Sequence, residues 1–180
     1  MITTSPRYAT HEYLDTSAVK TLLAPVLLLL LLIVMLSRFL LVWPTPLIFP
    51  NTTLQYGTDL VRESWSVFRF TNDTIHAYGQ FPLWRPYLLS GAPLIGHPVA
   101  PVMYPPNWLT LILPLPTAFN LLILFHLWWA GVGTYVYLRS IGLRVESSFL
   151  GACAFALTPR IFSHIGGGHF PLIEALGWWP

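Results

Sequence analysis

Between residues 22 and 42 the chain is apolar except for Pro25 near the start of the stretch and Ser37 and Arg38 near its end. That length suits one helical crossing of a bilayer, which needs roughly 20 residues. A cleaved signal peptide is the competing reading. The stretch exceeds the usual apolar region of such a peptide, and Glu12 and Asp15 make the leader mixed in charge. No small-x-small cleavage site follows Val42, where Trp43-Pro44-Thr45-Pro46 stands instead. The segment therefore reads as an uncleaved anchor. Pro25 is expected in its first turn, where the missing N–H has no helical partner, and Arg38 is expected to reach out to the headgroups.

Composition agrees with a membrane protein. The chain is 54% hydrophobic and 9% charged, with a mean hydropathy of +0.61, whereas about 25% charge is usual in a soluble domain. The net charge of +2 is small and the nine cationic residues are scattered, which leaves no nucleic-acid footprint. Cys153 is the only cysteine. No disulfide framework or cysteine zinc site can be built inside this chain.

A second crossing is expected over 117–138, ending in the small-residue stretch Ala130-Gly131-Val132-Gly133-Thr134, which suits close packing against another helix in lipid. A third is expected over 148–165, with Pro159 and Arg160 breaking its outer half into a kinked or re-entrant form. Residues 108–113 are apolar, too short to cross and bracketed by prolines, so they read as a helix lying at the interface. Lys20, Arg139 and Arg144 put the N-terminal tail 1–20 and the loop 139–147 on the cytoplasmic side. The loop 44–116 between spans 21–43 and 117–138 then faces outward, as does the turn that opens 166–180. The fold expected is all-α, a multi-span helical membrane bundle whose long outer loop carries short interfacial helices. Residues 170–176 look like the start of a further apolar helix, so the chain reads as the N-terminal fragment of a larger protein. His126 and Glu174 would then find partners in helices that this chain lacks.

The outer loop gathers Asp59, Arg62, Glu63, Arg69, Asp73, His76, Arg85 and His97 among its aromatic residues and prolines. A connection of that length is usually functional or disordered, and this one is too aromatic for disorder. Asp59, Arg62 and Glu63 fall at helical spacing, with Asp59 and Glu63 on one face. They suit a base and a neighbour that holds a metal or raises its pKa. The plainer alternative is a solvated amphipathic helix with Leu60, Val61, Trp65 and Phe68 on the membrane surface. His97, His164 and His169 could ligate a metal with Asp59, but no tight metal-binding spacing occurs, and a hydrogen-bonded interfacial histidine is the default for each. Arg85 sits among aromatic residues and suits phosphate, or else anchors at the headgroups. Gly166-Gly167-Gly168 reads as a flexible turn, not a nucleotide cradle.

Taken in order, Leu54-Gln55-Tyr56-Gly57-Thr58-Asp59, Gly79-Gln80-Phe81-Pro82-Leu83-Trp84-Arg85-Pro86-Tyr87, Ser90-Gly91-Ala92-Pro93, His97-Pro98 and Tyr104-Pro105-Pro106-Asn107 resemble the first outer loop of bacterial YfhO-like membrane proteins. The resemblance extends through Tyr137-Leu138-Arg139 and residues 151–157 to Gly168-His169. Those proteins look like GT-C-type glycosyltransferases, multi-span enzymes of the bacterial cytoplasmic membrane that use polyprenyl-phosphate-linked sugars at its outer face. The resemblance implies Asp59 as the catalytic acidic residue, deprotonating an acceptor hydroxyl or orienting it with a bound divalent cation. It also implies a substrate site bordered by Arg85, Tyr87, His97, Tyr104 and His169, with Arg85 steadying the departing phosphate. Two departures from the pattern are His97, where Asn is expected before the proline, and the absence of later spans. The implied partners are the lipid-linked sugar donor, an envelope glycan or lipid acceptor, and the remaining transmembrane helices. A non-catalytic carrier of lipid-linked saccharides is the alternative, and a transporter fragment ranks last because the charges crowd into an outer loop.

Overall fold

The computed structural model describes residues 9–41, 58–97 and 101–180. It is mostly helical. Helix α1 (Ala9–Leu41) comes first, and a π-helical turn (Leu60–Ser64) then runs into α2 (Trp65–Tyr78). Next is a short antiparallel hairpin, β1 (Trp84–Arg85) with β2 (Ala92–Pro93). A 3-10 turn (Pro105–Trp108) leads into α3 (Leu109–Ile112), followed by α4 (Leu115–Ser140), α5 (Val145–Ala156), α6 (Pro159–Gly167) and α7 (Phe170–Leu176).

Two helical segments among the described residues are long and apolar enough to cross a membrane, Val19–Ser37 within α1 and Leu115–Ser140. Along α1, Ala24, Leu28, Leu32 and Leu36 recur every fourth residue and are buried, which makes a single stripe facing α4 and α5. The rest of the helix is bare, with Leu22 76% and Val34 69% exposed. A surface of that kind belongs against lipid or another helix. The small-residue stretch of α4 is where three helices converge. A Cβ added at Gly131 would run into the Leu28 side chain and lie 3.3 Å from the Ala156 Cβ.

Pro25 lies well inside α1, not in its first turn, because the helix already begins at Ala9. Its missing N–H therefore deprives the Thr21 carbonyl of the usual donor. Tyr135 on α4 supplies one, its hydroxyl donating to the Thr21 oxygen at 3.4 Å, and the Trp128 indole N–H donates to the Pro25 carbonyl at 3.0 Å. The proline thus becomes a docking point for α4.

The expected crossing over 148–165 is not one helix. It is split into α5, with 12 residues, and α6, with 9, and α5 spans only about 18 Å of helix axis. Pro159 has no N–H for the carbonyl of Phe155, which instead accepts from Thr158 N–H at 3.2 Å. The helix stops there and a new one starts with proline in its first turn.

The loop helix also differs from expectation. Leu60 and Phe68 are each 2% exposed, so this face packs into protein and not onto the membrane surface. Phe68 meets the Phe119 ring edge-on at 5.6 Å, Phe170 meets Phe119 at 4.9 Å, and Trp65 adds a tilted contact at 6.0 Å. One aromatic cluster thereby joins α2, α4 and α7. Substituting Gly131→Val should lower thermal stability in detergent by roughly 1–3 kcal/mol, as overpacking does, whereas the same change at Gly142, which has open space around it but a φ of +89°, should cost only backbone strain.

Candidate functional site

The Asp59 carboxylate lies 3.5 Å from Nε2 of His169, and both side chains are about half exposed. Two local features bring them together. The first is the way α6 ends. Gly168 takes φ +74°, its N–H bonds the Ile165 carbonyl at 3.0 Å, and the His169 N–H bonds the His164 carbonyl at 3.0 Å. This is the paired closing pattern that left-handed glycine permits at a helix end. The second is close approach. A Cβ on Gly168 would sit 2.8 Å from the Leu60 nitrogen and 2.9 Å from the Thr58 Cβ. Only glycine allows the π-helical turn to press so near to the α6–α7 junction.

The helix ending also stacks the two histidines, whose Nδ1 atoms lie 2.9 Å apart. A nitrogen–nitrogen hydrogen bond needs a proton on one side and a lone pair on the other. When His169 donates Nε2–H to Asp59, its Nδ1 is the acceptor and His164 donates. The carboxylate thus faces, at ion-pair distance, one imidazole that a second imidazole orients.

The remaining expected site residues make other contacts. Glu63 lies 3.8 Å from Nε2 of His97, so Asp59 and Glu63 serve different histidines and His97 does not join Asp59. Among the described residues no group of three or more His, Cys, Asp or Glu side chains is placed to hold a metal ion. Arg85 donates to the Ser66 hydroxyl at 3.1 Å, which fixes it to the first turn of α2. Tyr87 makes an edge contact with Phe70 at 6.1 Å and is otherwise open.

Tyr104 belongs to a second polar cluster. Its hydroxyl lies 2.9 Å from Nε2 of His126 and accepts from the Trp178 indole N–H at 2.8 Å, while His126 Nδ1 lies 2.7 Å from the Leu122 carbonyl. The carbonyl can only accept, so Nδ1 carries the proton and Nε2 takes the Tyr104 O–H. His126 thus finds its partner inside this chain, contrary to expectation. Burial raises the Tyr104 pKa above its usual range, opposed by the Trp178 hydrogen bond and assisted by the nearby Glu174 charge. Glu174, on the seven-residue α7, is 4% exposed and neither of its oxygens has a hydrogen-bond partner. Burial pushes its pKa up to about 8, against the adjacent Asn107 amide.

Trp178 carried no sequence signal as a polar partner, and His126 and Glu174 stood out only as polar residues in apolar surroundings. No family model, no curated protein and no solved structure matches the chain.

Glu174 gives a pH signature. Its unfolded carboxyl titrates near 4.5 and its folded one at about 8, so between these values the fold keeps a proton that the unfolded chain has released. Stability therefore falls as pH rises through this window, by on the order of 4 kcal/mol in all. Thermal unfolding in detergent from pH 5 to pH 9 should show that decline in the wild type, and Glu174→Gln, which cannot ionise, should flatten it.

Proposed function

We propose that this chain is the N-terminal part of a membrane glycosyltransferase of the GT-C type, related to the YfhO-like proteins. In this reading it transfers a hexose or pentose from a polyprenyl-phosphate donor to an envelope acceptor at the outer face of the bacterial cytoplasmic membrane. The observation that carries the proposal is the Asp59 carboxylate placed just after the first apolar helix and paired with His169 across the π-helical turn. A half-exposed carboxylate with a fixed orientation suits a general base that a substrate hydroxyl can reach.

The chemistry follows from that placement. Asp59 accepts the proton of the acceptor hydroxyl as its oxygen forms a bond to the anomeric carbon. The bond from that carbon to the phosphate oxygen breaks on the opposite face, with inversion, and polyprenyl phosphate leaves. His169, oriented by His164, keeps Asp59 in its reactive orientation and stabilises its negative charge before the proton arrives. Arg85 is anchored by Ser66, and its remaining guanidinium N–H groups suit two-pronged contact with the departing phosphate. Asp59 and His169 alone make a poor cage for a divalent cation, which prefers more ligands.

Transfer of a lipid-linked sugar by the protein expressed from its complete reading frame tests this. Asp59→Asn should reduce the rate by about 10²–10⁴-fold, the usual worth of a general base, with membrane insertion unchanged. Normal transfer by the variant would refute the catalytic role and leave a non-catalytic carrier of lipid-linked saccharides as the better reading.

A further inference from the structure

A groove of about 310 Å³ lies between residues 101–104 and α7, lined by Pro101, Tyr104, Pro171, Glu174, Ala175 and Trp178. Its walls are aromatic rings and alkyl surface, and Glu174 is its only ionisable carboxyl group. The Trp178 N–H goes to Tyr104 and the Tyr104 O–H goes to His126, while the Asn107 amide gives one N–H to the Pro101 carbonyl at 3.1 Å and has its other toward Glu174. What remains is a buried carboxyl group, 4% exposed, neither of whose oxygens completes a hydrogen bond.

We propose that this groove binds a primary ammonium group, carried by the ethanolamine headgroup of a membrane lipid or by a free small amine. The inference does not depend on glycosyl transfer. The N–H donors of one ammonium nitrogen answer the two unpartnered oxygens of Glu174, and each acceptor left unpaired in a buried site is costly. The positive charge meets a carboxyl group and the faces of Trp178 and Tyr104, the combination that draws alkylammonium groups. Among the described residues lining the groove none is a lysine or arginine, so its charge favours a cation over phosphate. A quaternary ammonium would meet the rings but has no N–H to offer, which separates ethanolamine from choline. Trp178 also packs at 5.5 Å on Trp129 of α4, so the groove borders a helix able to cross a membrane, within reach of lipid headgroups.

The test uses the full-length protein in nanodiscs of phosphatidylglycerol, titrated with phosphatidylethanolamine or phosphatidylcholine. Binding is read from the tryptophan fluorescence that a Trp178→Phe variant lacks and from the lipid retained in native mass spectrometry. Phosphatidylethanolamine should bind and phosphatidylcholine should not. Glu174→Gln, which mimics the protonated acid and so keeps the fold, should weaken binding roughly tenfold or more, the worth of a charge-assisted hydrogen bond. Trp178→Leu should weaken it by a smaller factor while keeping every acceptor. Competition by free ethanolamine would show that the headgroup alone suffices, and its failure alongside lipid binding would assign the lipid as the source. Equal binding of the two lipids, no binding of either, or wild-type affinity in Glu174→Gln would each overturn the proposal.

Discussion

The Phe119 ring is the contact on which the rest of this molecule depends. It sits on α4, fully buried, and takes Phe68 from α2 on one edge, Phe170 from α7 on another and Trp65 beside them. Such edge-to-face pairs add about 0.5–1.5 kcal/mol each beyond the burial of the rings. Their larger effect is positional. The cluster seats α2 on α4, so that the π-helical turn ahead of α2 meets the α6–α7 junction. Gly168 then permits the last approach, and Asp59 arrives beside His169.

The same seating divides the polar residues by their access to water. Asp59 and His169 stay half exposed and can exchange protons with solvent or a substrate. Tyr104, His126 and Trp178 form a chain in which each proton has one acceptor, so that cluster is a fixed scaffold. Glu174 lies beside it with its oxygens unanswered, and a buried acid in that position holds its proton or waits for a cation. The imidazole that faces the accessible Asp59 and a buried acid thus lie on the same short stretch of chain, residues 169–174.

The long apolar helices were legible in the sequence because an apolar run of about 20 residues has few alternatives. Pro159 signalled a break near the right place, yet its consequence, two helices too short to cross alone, depends on how the chain turns back. Pro25 misled, since an apolar boundary at residue 22 is not a helix boundary and the rescue of the Thr21 carbonyl by Tyr135 comes from 114 residues away. Residues Asp59 and His169 were both visible as candidates and do meet, through a glycine closure that the run of three glycines half disguised. Arg85, Tyr87, His97 and Tyr104 were visible too, as were Glu63 and His126, but the pairings Arg85–Ser66, Tyr87–Phe70, His97–Glu63 and Tyr104–His126 arise only from packing. The start of the expected outer loop, residues 44–57, and the proline after His97 lie outside the described residues.

The proposed chemistry rests on Asp59 facing an imidazole that a second imidazole orients. Through-hydrogen-bond coupling between nitrogen nuclei reads this directly, in full-length protein carrying ¹⁵N-histidine in a lipid bilayer. The account expects a resolved coupling between the Nδ1 atoms of His164 and His169, with His169 as acceptor and its Nε2 protonated toward Asp59, and loss of that tautomer in Asp59→Asn. Two uncoupled imidazoles, each exchanging freely between tautomers with or without Asp59, would contradict it.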